Sequence, residues 1–305
     1  MAEDASLPAT PRALIISAAR RFRRAGLFFG HGTDNALDEA AFLVLHAAGL
    51  PPDADDDVLD RPLDTARRAA AENLLGLRLQ RRCPAAYLTQ RMWFAGHEFF
   101  VDERVLVPRS PLAELINARF EPWLQANKVA RILDIGTGSG CIALACALAF
   151  PAAEVDATDL SADALAVAAI NRTRHGLEAR VRLMEANLFP VDGGHYDLIV
   201  SNPPYVPVAR MSKLPQEYRE EPAMALVAGD DGFACVDGIL AGAAAYLAPH
   251  GVLVVEVGEI AAAVDQRYAH LPFTWIEFEH GGEGVFVIHR EDLARAVNPP
   301  RSILP

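Results

Sequence analysis

From about residue 111 onward, strand patterns alternate with helical patterns, and this alternation constrains the fold more than any other feature. Apolar and β-branched residues dominate ARILDIG (130–136), AEVDATD (153–159), ARVRLME (179–185), YDLIVSN (196–202) and GVLVVEVG (251–258). Helical segments such as CIALACALAF and SADALAVAAINRTRHGL lie between them. Strands that are buried on both faces and separated by helices are typical of a parallel sheet covered by helices.

The end of the chain departs from this alternation. FTWIEFEH (273–280) and EGVFVIHR (283–290) are two strand patterns separated by a Gly-Gly pair. Such spacing predicts a β-hairpin. We therefore expect an α/β fold whose last strand runs antiparallel to its neighbours.

Residues 1–91 follow a different pattern. ALIISAARRFRRAGL, NALDEAAFLVLHAAGL and DTARRAAAENLLGLRLQRR carry apolar residues at helical spacing, with Asp34 or Asn35 and Asp64 as plausible N-caps. This predicts a small helical domain. Aromatic and β-branched residues then dominate 92–110, and Asp102-Glu103 is a plausible turn, so we expect a β-hairpin that links two domains.

The charge and the cysteine content of the chain indicate its compartment and the kind of partner that it binds. The formal net charge is −12, and residues 91–305 carry 17 basic against 28 acidic residues. An acidic surface repels a phosphate backbone and attracts a basic partner, although acidity also serves solubility alone. The acidic N-terminus lacks a signal-peptide pattern, the longest apolar run is too short for a membrane span, and the four cysteines show no C-x-x-C spacing. We expect a cytoplasmic protein with free thiols.

The first strand pattern ends in a glycine-rich stretch, ILDIGTGSGCIAL (132–144). Gly136, Gly138 and Gly140 permit a tight turn and a close approach of a ligand at the carboxyl edge of the sheet. Their spacing matches neither the dinucleotide fingerprint nor a P-loop. Asp134 would repel a pyrophosphate and tolerate a cationic sulfonium, which favours S-adenosylmethionine over NAD. The alternative role for Asp134 is to hold the amides of the loop.

Two further strand ends supply polar candidates for that ligand. Asp159 follows the second strand, where an acid suits the two ribose hydroxyls. Its alternative role is that of a helix N-cap, which Ser161, or the acid two residues later, also suits. After the third strand, Asn187 is expected to meet the adenine amino group. Leu188 or Phe189 would cover the adenine face, unless this apolar pair belongs to the core.

The fourth strand pattern ends in NPPY (202–205). Residues before proline avoid the α region and proline has no N–H, so Asn202 and Pro203 are extended and present acceptor oxygens, with few donors. Such a site suits a substrate –NH2 group and serves poorly as an oxyanion hole. Accepting both N–H hydrogens would aim a nitrogen lone pair at a methyl donor. Tyr205 suits stacking on a flat amide or ring. The alternative is a strand that simply ends in a proline-rich turn.

Together, LDIGTGSG, the acid after the next strand and NPPY resemble class I methyltransferases that use S-adenosylmethionine. NPPY following a helical domain resembles the HemK/PrmB family of protein glutamine-N5 methyltransferases, over nearly the whole chain. The stretches 93–116, 202–232 and 273–290 resemble its PrmB branch, which methylates a glutamine of the third large-subunit ribosomal protein. PRSPLAEL stands where release-factor methyltransferases tend to carry P-R-P-[ED]-T-E.

The resemblance implies a Rossmann-like, seven-stranded sheet in a methyltransferase domain at 111–305. It also implies a helical substrate-recognition domain at 1–91 and a hairpin linker at 92–110. The product of the cofactor would be S-adenosylhomocysteine. The expected cofactor contacts are Asp134, Gly136, Thr137, Gly138, Gly140, Asp159, Asn187, Leu188 and Asn202. The expected catalytic residues are Asn202, Pro203 and Tyr205. The expected substrate contacts are Asn202, Pro203, Pro204, Tyr205, Phe100 and Arg109. The family often has Asp where this chain has Asn187.

Other functions stay open at this point. One is glutamine methylation of release factors, and another is a DNA amino-methyltransferase, which would need base flipping and a basic cleft. A third is a non-catalytic S-adenosylmethionine sensor or ribosome-assembly factor. We expect a basic protein substrate, no requirement for direct nucleic-acid binding, and no membrane. We also expect no metal, since His and Cys lack ligand spacing. The oligomeric state is open. The acids expected to help dock the substrate protein are Glu217, Glu220, Glu221, Asp230 and Asp231.

Overall fold

The computed structural model describes residues 10–192, 194–279 and 281–297, which form two compact units. The first unit contains the residues up to Met92, together with Val101–Glu103 and Pro215–Glu220. The second contains Trp93–Phe100, Arg104–Leu214 and the residues from Glu221 onward. The expected linker, 92–110, is thus divided between the two units and does not form a separate segment.

The first unit is built from helices whose apolar faces pack around the fully buried Phe22, Leu43 and Leu75. Asn35 caps the second helix and Asp64 caps the fourth, because each side chain accepts a hydrogen bond from a backbone N–H of the first turn. Both caps confirm the sequence prediction. The helices are α1 (Pro11–Arg24), α2 (Ala36–Ala48), α3 (Asp56–Leu59), α4 (Thr65–Arg81) and α5 (Ala85–Thr89).

A short β-hairpin follows α5. Its strands are β1 (Met92–Phe94) and β2 (His97–Phe99), which form a two-stranded sheet. The turn lies at Ala95 and Gly96, whose φ angles of 49° and 82° match the positive values that a two-residue hairpin turn requires. The hairpin turn is therefore not at Asp102-Glu103. These residues lie beyond β2, where the structure has a further turn at Glu103 and Arg104.

The second unit contains a seven-stranded sheet with the order β5-β4-β3-β6-β7-β9-β8. The first five strands in that order are parallel, and β9 is antiparallel to β7 and to β8. This confirms the predicted strand number and the antiparallel final strand. The strands are β3 (Arg131–Ile135), β4 (Glu154–Asp159), β5 (Val181–Glu185), β6 (Tyr196–Ser201), β7 (Leu247–Glu256), β8 (Thr274–Trp275) and β9 (Val285–His289).

Helices cover both faces of this sheet. Successive residues of a strand point to opposite faces, so each strand contributes apolar side chains to both. Ile132 and Leu198 belong to one hydrophobic cluster, whereas their neighbours Leu133 and Ile199 belong to the other. Both faces are buried, as the continuous apolar runs predict. The helices are α6 (Leu112–Asn117), α7 (Cys141–Ala149), α8 (Ala162–Arg174), α9 (Val208–Met211), α10 (Ala234–Tyr246), α11 (Ala261–Arg267) and α12 (Arg290–Val297).

Candidate active site

The carboxyl ends of four neighbouring parallel strands form the candidate site. Ile135 of β3 is paired with Thr158 of β4 on one side and with Ser201 of β6 on the other, and Ser201 is paired with Val255 of β7. The residues that follow these positions therefore emerge at one edge of the sheet. The strand order reverses between the adjacent strands β3 and β6, and such a point is where open α/β sheets bind ligands.

The glycine loop after β3 turns most of its backbone donors toward its own chain. The N–H groups of Gly136 and Thr137 both donate to the carbonyl oxygen of Thr158, at 2.9 Å each. The N–H of Gly138 donates to Asp159 Oδ2 at 2.8 Å. A loop that cradles phosphate needs such N–H groups for the ligand. The geometry therefore favours a ligand other than a pyrophosphate, in agreement with the G-x-G-x-G spacing.

The same loop stays open where its glycines lack side chains. Gly136 and Gly138 have φ angles of 72° and 56°, and a Cβ at either position would have no neighbour within 4 Å. At Gly140, in contrast, a Cβ would lie 3.1 Å from that of Ala168 in α8. The first two glycines leave free space beside the loop, and the third permits close packing of the loop against α8.

Asp134 belongs to β3 and lies just before the glycine loop. Its side chain is fully buried, and Oδ2 accepts hydrogen bonds from Thr137 Oγ1 (2.6 Å) and the Ala143 N–H (3.1 Å). Oδ1 has no hydrogen-bond partner in the part of the chain that the structure describes. Burial, together with the nearby Asp159, raises the pKa of Asp134 to about 7, although the hydrogen bonds from Thr137 and Ala143 lower it. Asp134 thus holds the loop, as its alternative role predicted. Direct ligand contact stays a prediction.

Asp159, the last residue of β4, stands half-buried beside the loop. Its two oxygens accept from the Gly138 N–H (2.8 Å) and the Ser161 N–H (2.9 Å), which fixes the plane of the carboxylate. Burial raises its pKa above the ordinary value. Ser161, and not Asp159, caps α8 by accepting from Ala164 N–H. Asp159 keeps further acceptor positions for a ligand, so ribose binding stays a prediction that the geometry allows.

The segment after β5 divides into an exposed and a packed part. Asn187 is exposed, whereas Leu188 packs against Gly238 of α10. Leu188 has a φ of 67°, and its carbonyl oxygen accepts from Thr158 Oγ1 at 2.7 Å. The ring of Phe189 stacks on Tyr246, with centroids 4.5 Å apart. Phe189 therefore belongs to the core, while contacts of Asn187 and Leu188 with adenine stay predictions.

NPPY follows β6 as a stretch without regular secondary structure, and the side-chain amide of its first residue is unengaged. The half-buried Asn202 side chain makes no hydrogen bond to any residue that the structure describes. Pro203 is buried, and neither it nor Pro204 has an N–H to donate. Val206 ends the stretch by pairing with Val227 in a parallel bridge. The backbone of this stretch thus offers few donors, and receipt of a substrate –NH2 group by Asn202 and Pro203 stays a prediction.

Two residues that the sequence analysis did not identify hold Phe100 and Tyr205, which are predicted substrate contacts. Asn171 in α8 is fully buried, accepts from Phe100 N–H (2.7 Å) and donates to Phe100 O (2.9 Å) and Ser139 O (2.8 Å). Glu256 ends β7 and accepts a hydrogen bond from Tyr205 OH at 3.3 Å. The available signals in the sequence were Asn171, a polar residue on an apolar helix face, and Glu256, an acid within GVLVVEVG.

Phe100 and Arg109, which are expected to contact the substrate, make contacts within the chain. The Arg174 guanidinium lies 5.0 Å from the centroid of the Phe100 ring. Arg109 binds Glu221 through both carboxylate oxygens, and Glu221 also accepts from Val107 N–H at 3.0 Å. Arg109 is therefore engaged with a buried acid, which favours a positioning role, while its contact with substrate stays a prediction.

This arrangement corrects the docking hypothesis for two of the five acids. Glu217 is buried in the first unit, where it lies 2.9 Å from Arg82 and accepts from Phe28 N–H at 3.0 Å. Glu221 is buried against Arg109. Both are too enclosed to meet a partner protein. The three acids that remain exposed are Glu220, Asp230 and Asp231.

None of the described helices combines the length and the apolarity that a bilayer crossing needs. Across residues 10–192, 194–279 and 281–297, no group of three or more His, Cys, Asp or Glu side chains is arranged to hold a metal ion. The cysteines in these ranges are free thiols.

Comparisons with known proteins agree with this geometry. Residues 120–219 match the family model described as methyltransferase small domain. The chain is 46% identical to a ribosomal protein uL3 glutamine methyltransferase of Bordetella pertussis, over 93% of this chain and 96% of that protein. It is also 46% identical to the protein of the same name from Neisseria meningitidis serogroup A, over 93% and 94% of the two chains.

A solved structure shares the fold at much lower identity. The hMettl16 catalytic domain has a TM-score of 0.51 at 17% identity, over 72% of this chain and 80% of that one. This likeness supports the Rossmann-like class I methyltransferase fold and nothing finer. Near full-length identity of 46% to the curated relatives is far more specific. The chain therefore belongs to the family of ribosomal protein uL3 glutamine methyltransferases.

Proposed function

We propose that this protein transfers a methyl group from S-adenosylmethionine to the side-chain nitrogen of a glutamine in ribosomal protein uL3. The observation that carries the proposal is the end of β6, where the unengaged amide of Asn202 follows a strand paired with the glycine-loop strand. The name of the relatives at 46% identity supports glutamine and uL3 as the target.

The chemistry follows from the acceptor groups of NPPY. A glutamine amide nitrogen is a weak nucleophile because its lone pair is delocalised into the carbonyl group. Asn202 Oδ1 and the Pro203 carbonyl oxygen accept its two N–H hydrogens and thereby orient the lone pair. The nitrogen gains positive charge as its new bond to carbon forms, so both hydrogen bonds strengthen in the transition state. The proton is lost afterwards to water, which makes an enzymatic general base unnecessary.

The residues around the glycine loop suit the cofactor. S-adenosylmethionine, when bound, supplies an electrophilic methyl group on a sulfonium. Asp159 is held by two backbone N–H groups with acceptor positions left for ribose hydroxyls. Asp134, with one buried oxygen that lacks a partner, favours a positive charge nearby. Asn187 is exposed and keeps an acceptor oxygen for the adenine amino group.

The substrate protein is held by other parts of the chain in this proposal. Tyr205 stacks on the glutamine amide, and Phe100 borders the entrance. The exposed acids Glu220, Asp230 and Asp231 attract a basic ribosomal protein, and the helical first unit takes part in substrate recognition. Action on a ribosomal protein places the enzyme in the cytoplasm, and the mechanism uses no metal.

The direct test offers two protein substrates separately. Purified enzyme and labelled S-adenosylmethionine are incubated with uL3 and, in parallel, with peptide chain release factors, and the modified residue is mapped by mass spectrometry. We expect label on one glutamine side chain of uL3. A uL3 variant with glutamate at that position lacks the –NH2 group and serves as the matched control. Labelling of release factors alone would mean that they, and not uL3, are the substrate. The absence of transfer to either protein would refute the proposal.

A further inference from the structure

A buried carboxyl group joins two segments of the site that lie far apart in the sequence. Glu256, at the end of β7, is only 6% exposed. One of its oxygens accepts a hydrogen bond from the hydroxyl of Ser110, 146 residues away, and the other accepts from the hydroxyl of Tyr205, 51 residues away. The carboxyl group thus connects the segment before α6 with NPPY.

The charges around Glu256 are few. Arg109 is the cation that acts on it, but that guanidinium is bound through two hydrogen bonds to Glu221. On the neighbouring strand β9, the residue paired with Glu256 is the apolar Val285. Because burial outweighs these interactions, the pKa of Glu256 is raised to about 7. The group therefore changes its charge near neutral pH.

The ring of Tyr205 is confined from a second side. A Cβ at Gly258, two residues beyond Glu256, would lie 2.8 Å from the ring and 2.9 Å from the hydroxyl oxygen. Gly258 has a φ of 48°, and the N–H of Val257 is bonded to Gly284 O at 2.7 Å. The turn after β7 therefore bounds the ring, and Glu256 holds its hydroxyl.

We propose that Glu256 is a positioning residue for methyl transfer, whose carboxylate fixes Tyr205 relative to Ser110 by accepting hydrogen bonds from both hydroxyl groups. The inference rests on the proposed function, in which Tyr205 stacks on the substrate amide. Only an ionised carboxylate accepts from both hydroxyls with its full charge. When Glu256 is protonated, one oxygen becomes a donor and the arrangement weakens. Turnover should therefore increase as the pH rises through about 7.

The substitution Glu256→Gln preserves the shape of the side chain and removes its ionisation. We expect kcat at pH 8.5 to fall about tenfold, the equivalent of losing one charged hydrogen bond. The KM for S-adenosylmethionine should stay unchanged, and kcat should lose its rise through pH 7. The matched control is Glu259→Gln, which removes the charge of an exposed residue that pairs with Arg210, and its kcat and pH profile should equal those of the wild type.

Ser110→Ala provides a second variant that leaves the carboxyl group in place. The hydroxyl of Ser110 lowers the pKa of Glu256, so its removal should move the midpoint of the kcat profile to higher pH. A purely structural role for Glu256 would lower stability without shifting this midpoint. Unchanged kcat and an unchanged pH profile in Glu256→Gln would overturn the proposal.

A double-mutant cycle in the absence of substrate separates this inference from the proposed function. The free energies of unfolding of Glu256→Gln, Tyr205→Phe and the double variant are measured with denaturant at pH 8.5. We expect non-additive losses, because Tyr205→Phe removes the same hydrogen bond that Glu256→Gln weakens by removing the carboxylate charge. Additive losses would refute the link between the two residues. A wild type that never labels uL3 would refute the proposed function and leave this coupling measurable.

Discussion

The glycine loop after β3 and NPPY after β6 leave adjacent strands at the same edge of the sheet, but they handle their backbone donors in opposite ways. The loop donates the N–H groups of Gly136, Thr137 and Gly138 to acceptors of its own chain. NPPY contains two prolines, which have no N–H at all. One segment satisfies its donors, and the other removes them.

The two segments are also stabilised in different ways. The loop is stabilised locally, by Thr158 and Asp159 at the end of the next strand and by the buried Asp134. NPPY depends on more distant parts of the chain, since Tyr205 is bonded to Glu256 and bounded by Gly258. We infer that changes at the loop mainly alter cofactor affinity, whereas changes at NPPY mainly alter turnover.

The strongest test of this division is Asn202→Ala. We expect kcat to fall roughly 100- to 1000-fold, the range found when a partner of developing transition-state charge is removed. The dissociation constant for S-adenosylmethionine, measured by calorimetry, should change little. Asn73→Ala makes the same substitution at an exposed position of α4 and should leave both quantities unchanged. Near-normal turnover of the Asn202 variant would contradict the role given to NPPY.

A smaller effect, on affinity instead of turnover, is expected for Asp159→Ala. Loss of charged hydrogen bonds to ribose, worth about 1.5–3 kcal/mol each, predicts roughly 10- to 100-fold weaker binding of S-adenosylmethionine. At saturating cofactor, kcat should be largely recovered. Asp163→Ala, which removes an exposed acid from the first turn of α8, is the matched control for the titration. Equal affinity in the two variants would show that Asp159 does not hold the ligand.

The smallest effect concerns the pH dependence of stability through Asp134. Its pKa is raised to about 7 from 3.8, so the folded state binds a proton that the unfolded chain has already released. The stability contributed by the neutral carboxyl group is complete below pH 3.8 and is lost as the pH rises through about 7. Between pH 6 and 8, the free energy of unfolding should therefore decrease by about 1 kcal/mol through this group.

Asp134→Asn isolates that contribution, because the amide keeps the shape and never ionises. The wild type should lose about 1 kcal/mol more than the variant between pH 6 and 8, as measured by urea unfolding. The buried Glu256 contributes equally to both proteins and cancels in the difference. Parallel pH curves for the two proteins would mean that Asp134 does not titrate in this range, and that the loop is held by an ionised carboxylate.

The two buried acids also show what could be inferred without a structure. Asp134 stands directly before a glycine-rich turn, so its position alone predicted a place in the cofactor loop. Glu256 stands inside an apolar run, and nothing near it in the sequence identifies Tyr205 or Ser110 as partners. Likewise, Glu217 and Glu221 were expected on the surface because they follow NPPY in an acidic stretch, whereas the structure buries both against arginines.

The sequence by itself determined the features that depend on a few neighbouring residues. These include the alternation of strands and helices, the cap at Asp64, a cap at Asp34 or Asn35, the antiparallel final strand, and the donor-poor backbone of NPPY. Each follows from local sterics, periodicity or the missing proline N–H, which act within a few positions along the chain.

Only the tertiary structure decided which distant side chains meet. Arg109 reaches Glu221 across 112 residues, and Asn171 reaches Phe100 across 71. Such pairs depend on strand order and helix packing, which bring together segments that carry no pattern in common. Burial then makes each pairing necessary, because an enclosed charge or amide without a partner is costly. Burial likewise raises the pKa of Glu256 to about 7. No local stretch of the sequence specifies this shift.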